Sequence, residues 1–226
     1  MVKPGKKTDS KQRPLIVVAG EGDYDRQVLQ HLLPVLLPVR GLLIEPIRSD
    51  KTDLSKADKK LSPHIDKLHR LAKGMAVRKR ARLMGIVVHV DFDAVADDQY
   101  HATRERISAD LARAFSPQYE SALALAVSST EGWLMLFPEA FPELKKSWQL
   151  PHAIRNQDLG MIVNAKKHLK GLLKQPPYSE SHAPELMEKA VLLARSGKHG
   201  IDISNPSGRN CSYTDFVRDL KSWKSS

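Results

Sequence analysis

The chain has 226 residues, enough to bury a substantial core in one large or two small domains, and its 36 Lys and Arg against 26 Asp and Glu give a formal net charge of +10. That excess favours a polyanionic partner through counterion release, without separating a nucleic-acid-binding protein from a ribosome-associated or membrane-surface one. The single cysteine, Cys211, excludes an intramolecular disulfide and a cysteine-rich zinc site, and no stretch approaches the roughly 20 apolar residues of a membrane helix, so a reducing cytoplasm is the expected setting.

Residues 1–13 are polar and basic and read as a disordered arm, not a secretory leader. Leu15–Ala19 is an unbroken apolar run and reads as a buried strand. A turn at Gly20–Gly22 leads to a helix from Tyr24 to about Leu37, with Val28, Leu29, Leu32 and Leu33 on its apolar face and Pro34 as a point where it ends or kinks. Leu42–Ile47 is a second strand, followed by a polar loop over Ser49–Ser62. His64 to Met84 has helical periodicity, with Ile65, Leu68, Leu71, Met75 and Leu83 on one side. Gly85–Val90 is a third strand. Asp97 and Asp98 open a helix running to about Phe115, whose inner face carries Ile107, Leu111 and Ala114. Ala122–Val127 is a fourth strand, and a short helix runs from Glu131 to Phe137.

This alternation predicts an α/β fold over 14–137, a Rossmann-like parallel sheet of about four strands flanked by helices. Beyond Pro138 the pattern changes to helical stretches near 158–173, 184–196 and 212–223, which read as a helical C-terminal extension packed on the sheet.

Two of the strands end in acidic motifs. The first is followed by Gly20-Glu21-Gly22-Asp23-Tyr24-Asp25, the third by Asp91-Phe92-Asp93. Gly22 permits a tight turn, and Asp25, one helical turn on, returns near Glu21. Asp91 and Asp93, two apart in extended chain, project to one side. If the two strands are neighbours, these carboxylates converge at the carboxyl edge of the sheet, where open α/β folds bind ligands. Their mutual repulsion would raise pKa values unless one or two Mg²⁺ or Mn²⁺ ions relieved it, and such ions polarise phosphates and activate water.

At these residues the chain resembles the TOPRIM family, the catalytic fold of topoisomerases, DnaG-type primases and the overcoming-lysogenisation-defect (OLD) nucleases. The resemblance rests on Glu21-Gly22 after the first strand and Asp91-Phe92-Asp93 after the third, and spans roughly 14–137. It is closest to small stand-alone TOPRIM and OLD-like nuclease proteins of bacteria, many of which sit in phage-defence or mobile-element contexts. The OLD-like pattern also places an acid four positions after the first Glu, here Asp25, and a Ser-x-Glu after the fourth strand, here Ser129-Thr130-Glu131. The resemblance implies metal-dependent phosphodiester hydrolysis on DNA or RNA. Glu21, Asp91 and Asp93 would be catalytic and hold one ion, and Asp25 and Glu131 would help hold a second. The topoisomerase tyrosine domain and the zinc- and helicase-binding parts of primases have no counterpart, and the OLD ATPase half would have to be a separate partner chain. The family's catalytic lysine is matched by Lys166, Lys167 or Lys170 only by position.

Plainer readings stand beside these. Glu21 and Asp25 also fit a solvated acidic helix start. Ser128-x-x-Glu131 is a capping-box pattern, which needs no metal. His89 reads as a packed sheet histidine. A basic stretch through Lys67, Arg70, Lys73, Arg78, Lys79, Arg80 and Arg82 is the expected phosphate-backbone contact, or else a solvated helix face. The loop Ser196–Asn210 reads as an ordinary polar connection or a cover over the site. Two other functions compete: a haloacid-dehalogenase-like phosphatase using Asp91 as nucleophile and Asp93 as acid/base, and a non-catalytic protein that binds nucleic acid or an ATPase partner.

Overall fold

The computed structural model describes residues 12–20, 22–48 and 62–223. Most of the expected basic arm, Glu21 and the loop after Arg48 lie outside them.

Four strands, β1 (Pro14–Gly20), β2 (Leu43–Arg48), β3 (Arg82–Asp91) and β4 (Glu120–Ala126), form one all-parallel sheet in the order β2-β1-β3-β4. The register sets Ala19 beside Ile47 on one side and Val88 on the other, and Asp91 beside Ala126. Thus the first and third strands are neighbours, and both acidic motifs follow strands that end at one edge.

Three crossover helices connect the strands: α1 (Asp23–Leu36), α2 (Ser62–Lys79) and α3 (Asp98–Phe115). Alternation along the central strands feeds two cores. Leu15, Val17, Ile86 and Val88 pack with Leu68 of α2 and Ile107 and Leu111 of α3. Ile16, Val18 and Val87 pack with Val28, Leu29 and Leu32 of α1. Burial on both faces is why these strands read as unbroken apolar runs.

The second core is completed by the C-terminal third: α4 (Glu131–Leu134), α5 (Ala140–Leu144), α6 (Ala165–Leu172), α7 (Ala183–Arg195) and α8 (Cys211–Lys221). Helix α7 lies on α1 and α5, and α8 lies on β4. Trp133 stacks on Phe216 of α8 at 5.4 Å between ring centroids. No helix among the described residues is long and apolar enough to cross a membrane.

Four expectations are corrected. The helix expected from His64 to Met84 stops at Lys79, because Arg80 turns left-handed (φ 51) and Leu83 and Met84 join β3, where Leu83 pairs with Leu15. Arg80 and Arg82 are therefore off the helix. Leu71, expected on its inner face, is 40% exposed. Helix α1 neither ends nor breaks at Pro34 but runs to Leu36, with Pro34 on its exposed side. The stretch near 158–173 divides into a 3₁₀ turn at Leu159–Met161 and the eight-residue α6.

Candidate active site

The carboxyl edge of the sheet delivers the acidic groups. After β3, Phe92 donates its N–H to the Ala126 carbonyl at 2.8 Å and turns its ring into the α2–α3 core against Tyr100. Asp93 then adopts a left-handed backbone (φ 57), and so does Ser128 after β4 (φ 60), whose N–H bonds the Ala94 carbonyl at 2.9 Å. Left-handed non-glycine residues cost free energy and concentrate where a site over-determines its backbone.

Asp25 arrives from the first turn of α1. Its carboxylate folds back over Gly22 so closely that any Cβ at 22 would displace it. The Thr130 hydroxyl donates to Asp25 Oδ1 at 2.6 Å. That hydroxyl lies 3.1 Å from His89 Nε2, which in turn lies 3.6 Å from Asp91 Oδ1. Since the Thr130 proton is committed to Asp25, its oxygen accepts from His89, which fixes the proton on Nε2. One buried imidazole and one hydroxyl thus lie between the acid of α1, which they hold by a hydrogen bond, and the acid of β3, which His89 approaches without bonding. Glu131, at the start of α4, is buried, and its Oε1 accepts from the Tyr178 hydroxyl at 3.2 Å.

Asp91, Asp93, Ser128, Ser129, Asn164 and Lys166 line one pocket of about 160 Å³. The Asp91 side chain is 35% exposed overall, yet its Oδ1 is shut from solvent and has no hydrogen-bond donor among the described residues; the Ser129 hydroxyl in the same wall is likewise buried and without a partner among them. Burial pushes the Asp91 carboxyl up to about 7, the charges of Asp25, Asp93 and Glu131 push the same way, and His89 opposes them. Tyr178 is raised by burial and by Glu131, so it stays a donor. For Lys166, burial pulls the ammonium down, but Glu131, Glu180 and Asp91 together outweigh it and its pKa is raised. Its Nζ also meets Glu180 at 3.2 Å.

Of the expected ligands, Asp25, Asp93 and Glu131 come within electrostatic reach of Asp91, while Glu21 lies outside the described residues. Among the described residues no three His, Cys, Asp or Glu side chains form a ready-made metal group. The donor chemistry nevertheless fits a hard divalent cation: a buried carboxylate oxygen without a donor, ringed by further carboxylates, is the arrangement that an ion relieves.

The capping box expected at Ser128-x-x-Glu131 is not formed. Thr130 occupies the cap position without a side-chain cap bond, and Ser128 Oγ instead donates to the Val163 carbonyl at 3.3 Å and accepts from the Ala165 N–H at 2.9 Å. Asp97 does cap α3, accepting from the Tyr100 N–H at 3.0 Å. The loop that ends at Asn210 does not line the carboxylate pocket; its Ser204–Asn210 portion borders a separate cavity of about 800 Å³ against α8.

The basic residues scatter. Arg70 and Arg78 of α2 line a groove with Arg48 of β2. Lys73 is exposed on α2, and Lys79 pairs with Glu45 at 2.7 Å. Arg82 opens β3, roughly 30 Å along the strand from Asp91 and at the opposite edge of the sheet. Sequence reasoning passed over His89, Thr130, Tyr178 and Arg48 as site residues and left Lys166 undistinguished. His89 alone had a usable signal, since it sits two residues before Asp91 and so on the same face of β3.

Comparison with protein-family models, curated proteins and solved structures returns no match for this chain.

Proposed function

We propose that this protein is a Mg²⁺- or Mn²⁺-dependent nuclease of TOPRIM type, cleaving phosphodiester bonds in nucleic acid. The observation that carries the reading is Asp91: a half-buried carboxylate with an unpartnered buried oxygen and a pKa near 7, set among Asp25, Asp93 and Glu131 and opposite Lys166. Asp25, Asp91, Asp93 and Glu131, with Glu21 by its place in the sequence, are the residues that would hold the ion. When bound, a divalent ion polarises a phosphate and makes its coordinated water more acidic. The chain's own contribution is orientation and charge. Thr130, braced by His89, holds Asp25, Tyr178 holds Glu131, and Lys166 offers a cation to phosphate oxygens in the pocket.

The phosphatase reading draws on Asp91 and Asp93, with Ser128 after the fourth strand as its second motif, and these three share the pocket. It is weakened because Ser128 Oγ is already engaged by Val163 and Ala165 and because Asp25 and Glu131 have no task in it. A plasmid- and RNA-nicking assay with Mn²⁺ or Mg²⁺ separates the two. Wild type nicks, and Asp91→Asn loses at least about a hundredfold in rate while keeping its circular-dichroism spectrum. Equal nicking by both proteins defeats the nuclease reading, and hydrolysis of p-nitrophenyl phosphate without nicking selects the phosphatase.

A further inference from the structure

At the β2 edge of the sheet, β2 and α2 enclose a groove of about 430 Å³. Arg48, Arg70 and Arg78 line it, over an apolar floor of Pro46, Leu71 and Met75, and no acidic residue is in its walls among the described residues. All three arginines are exposed. Among the described residues none of them forms an ion pair, whereas Lys79, on the same helix, is neutralised by Glu45 and seven other Lys and Arg side chains are paired elsewhere. Arg70 and Arg78 are eight residues apart, about 12 Å along the helix axis. Arg48 is the last residue of β2 and sits beside Gly20, so it lies at the same carboxyl edge as Asp91, with β1 between their strands, roughly 10 Å across the sheet.

We infer that this groove binds a single nucleic-acid strand, its phosphates on Arg48, Arg70 and Arg78; the choice of polyanion rests on the nuclease reading above. Guanidinium groups match phosphate oxygens in a bidentate fork, and ones without an ion pair keep that capacity; Arg78 Nη2 rests on Met75 Sδ at 2.8 Å, a weak acceptor that a phosphate oxygen replaces. The apolar floor between them has no use for a duplex, whose base faces are stacked away, but covers the ribose and base faces of an unpaired strand. Pro46 supplies no N–H, so this edge is ill suited to pairing with a strand from another protein chain.

The test is fluorescence anisotropy of a labelled oligothymidylate of about 20 nucleotides, titrated in EDTA at several salt concentrations, beside Mn²⁺ cleavage of the same oligonucleotide. Replacing Arg48, Arg70 and Arg78 together by Gln is expected to weaken binding at least about tenfold and to flatten the log–log salt slope by roughly 2, at about 0.7 per lost phosphate contact. Arg48→Gln and Arg70→Gln alone should each remove about 0.7, which keeps the test decisive if the triple variant folds poorly. Unchanged affinity and slope overturn the inference. So does equal binding of a duplex, or competition by poly-glutamate as effective as by unlabelled oligonucleotide, which would make an acidic protein the occupant. Arginine-dependent binding without any cleavage sinks the nuclease reading alone. Cleavage with arginine-independent binding sinks the groove alone.

Discussion

A buried Asp91 oxygen without a donor, three carboxylates in its field and a histidine 3.6 Å away make competing demands on one proton. Free in an unfolded chain the carboxyl ionises near 4, and in the fold it does so at about 7. Between those values the native state holds a proton that the unfolded state has released. The contribution of this group to stability is therefore fully present below about 4, is lost as the pH rises to about 7, and stays lost above it. The groups facing it are Asp25 from α1, Asp93 and His89 along β3 and its extension, Glu131 from α4 and Lys166 from α6. It follows that metal-free Asp91→Asn is more stable than wild type at pH 8, by roughly 2–4 °C in Tm, and no more stable at pH 5. Thermal unfolding at the two pH values checks this, and a variant less stable at pH 8 would contradict it. Added Mn²⁺ should raise the wild-type Tm and leave the variant's almost unchanged, because ligand binding to the native state alone stabilises it.

At the scale of elements, the two sheet edges are protected by different means. The outer edge of β4 is covered: Arg104 Nη1 donates to the Leu123 carbonyl at 3.2 Å, Trp223 Nε1 to that of Ser121 at 3.4 Å, and the Val127 N–H is received by Ser212 Oγ at 3.2 Å. Ser212 Oγ also accepts from Trp133 Nε1 at 2.8 Å and donates to Asn210 Oδ1 at 2.7 Å, so a single fully buried hydroxyl joins β4, α4 and the start of α8. Ser212→Ala would strand two buried donors and should cost at least about 2 kcal/mol, measured as a lower midpoint in urea unfolding with an unchanged m-value. Which elements exist was legible in the chain because each obeys a local rule. The central strands β1 and β3 carry unbroken apolar runs, and α1 and α3 repeat apolar residues with a helical period. The boundary between α2 and β3 was not legible. Leu83 satisfies both a helical and an alternating pattern, and what decides is the distant pairing of Arg82 and Leu83 with Pro14 and Leu15. The capping pattern at Ser128 failed for the same reason: its hydroxyl is drawn to Val163 and Ala165, 35 and 37 residues away.

On the scale of the whole molecule, the site exists because the C-terminal third folds back over the sheet edge. The carboxylates could be found by their spacing along the chain, but their couplings join residues far apart in it. Thr130 and Asp25 are separated by 105 positions, and Lys166 lies in a helix with no local mark of function. Ser128 ties the start of α6, already packed in the core through Ala165 and Leu169, to the end of β4, its hydroxyl bonding both the Val163 carbonyl and the Ala165 N–H. Its left-handed backbone would relax by about 1–2 kcal/mol with glycine, while losing those two hydrogen bonds costs about 1–3 kcal/mol, so Ser128→Gly should leave global stability nearly unchanged. Its effect should instead fall on the placement of Lys166, whose partly exposed pairing with Glu180 contributes little to stability. Lys166→Met and Ser128→Gly are thus expected to lower nicking together, the first by about a hundredfold and the second by less. Mn²⁺ affinity measured by calorimetry should stay within about threefold of wild type in both, since neither residue is a carboxylate. If Ser128→Gly nicks as fast as wild type, the clasp between β4 and α6 does not position the lysine. If Lys166→Met alone is silent, the cation facing Asp91 has no part in the reaction.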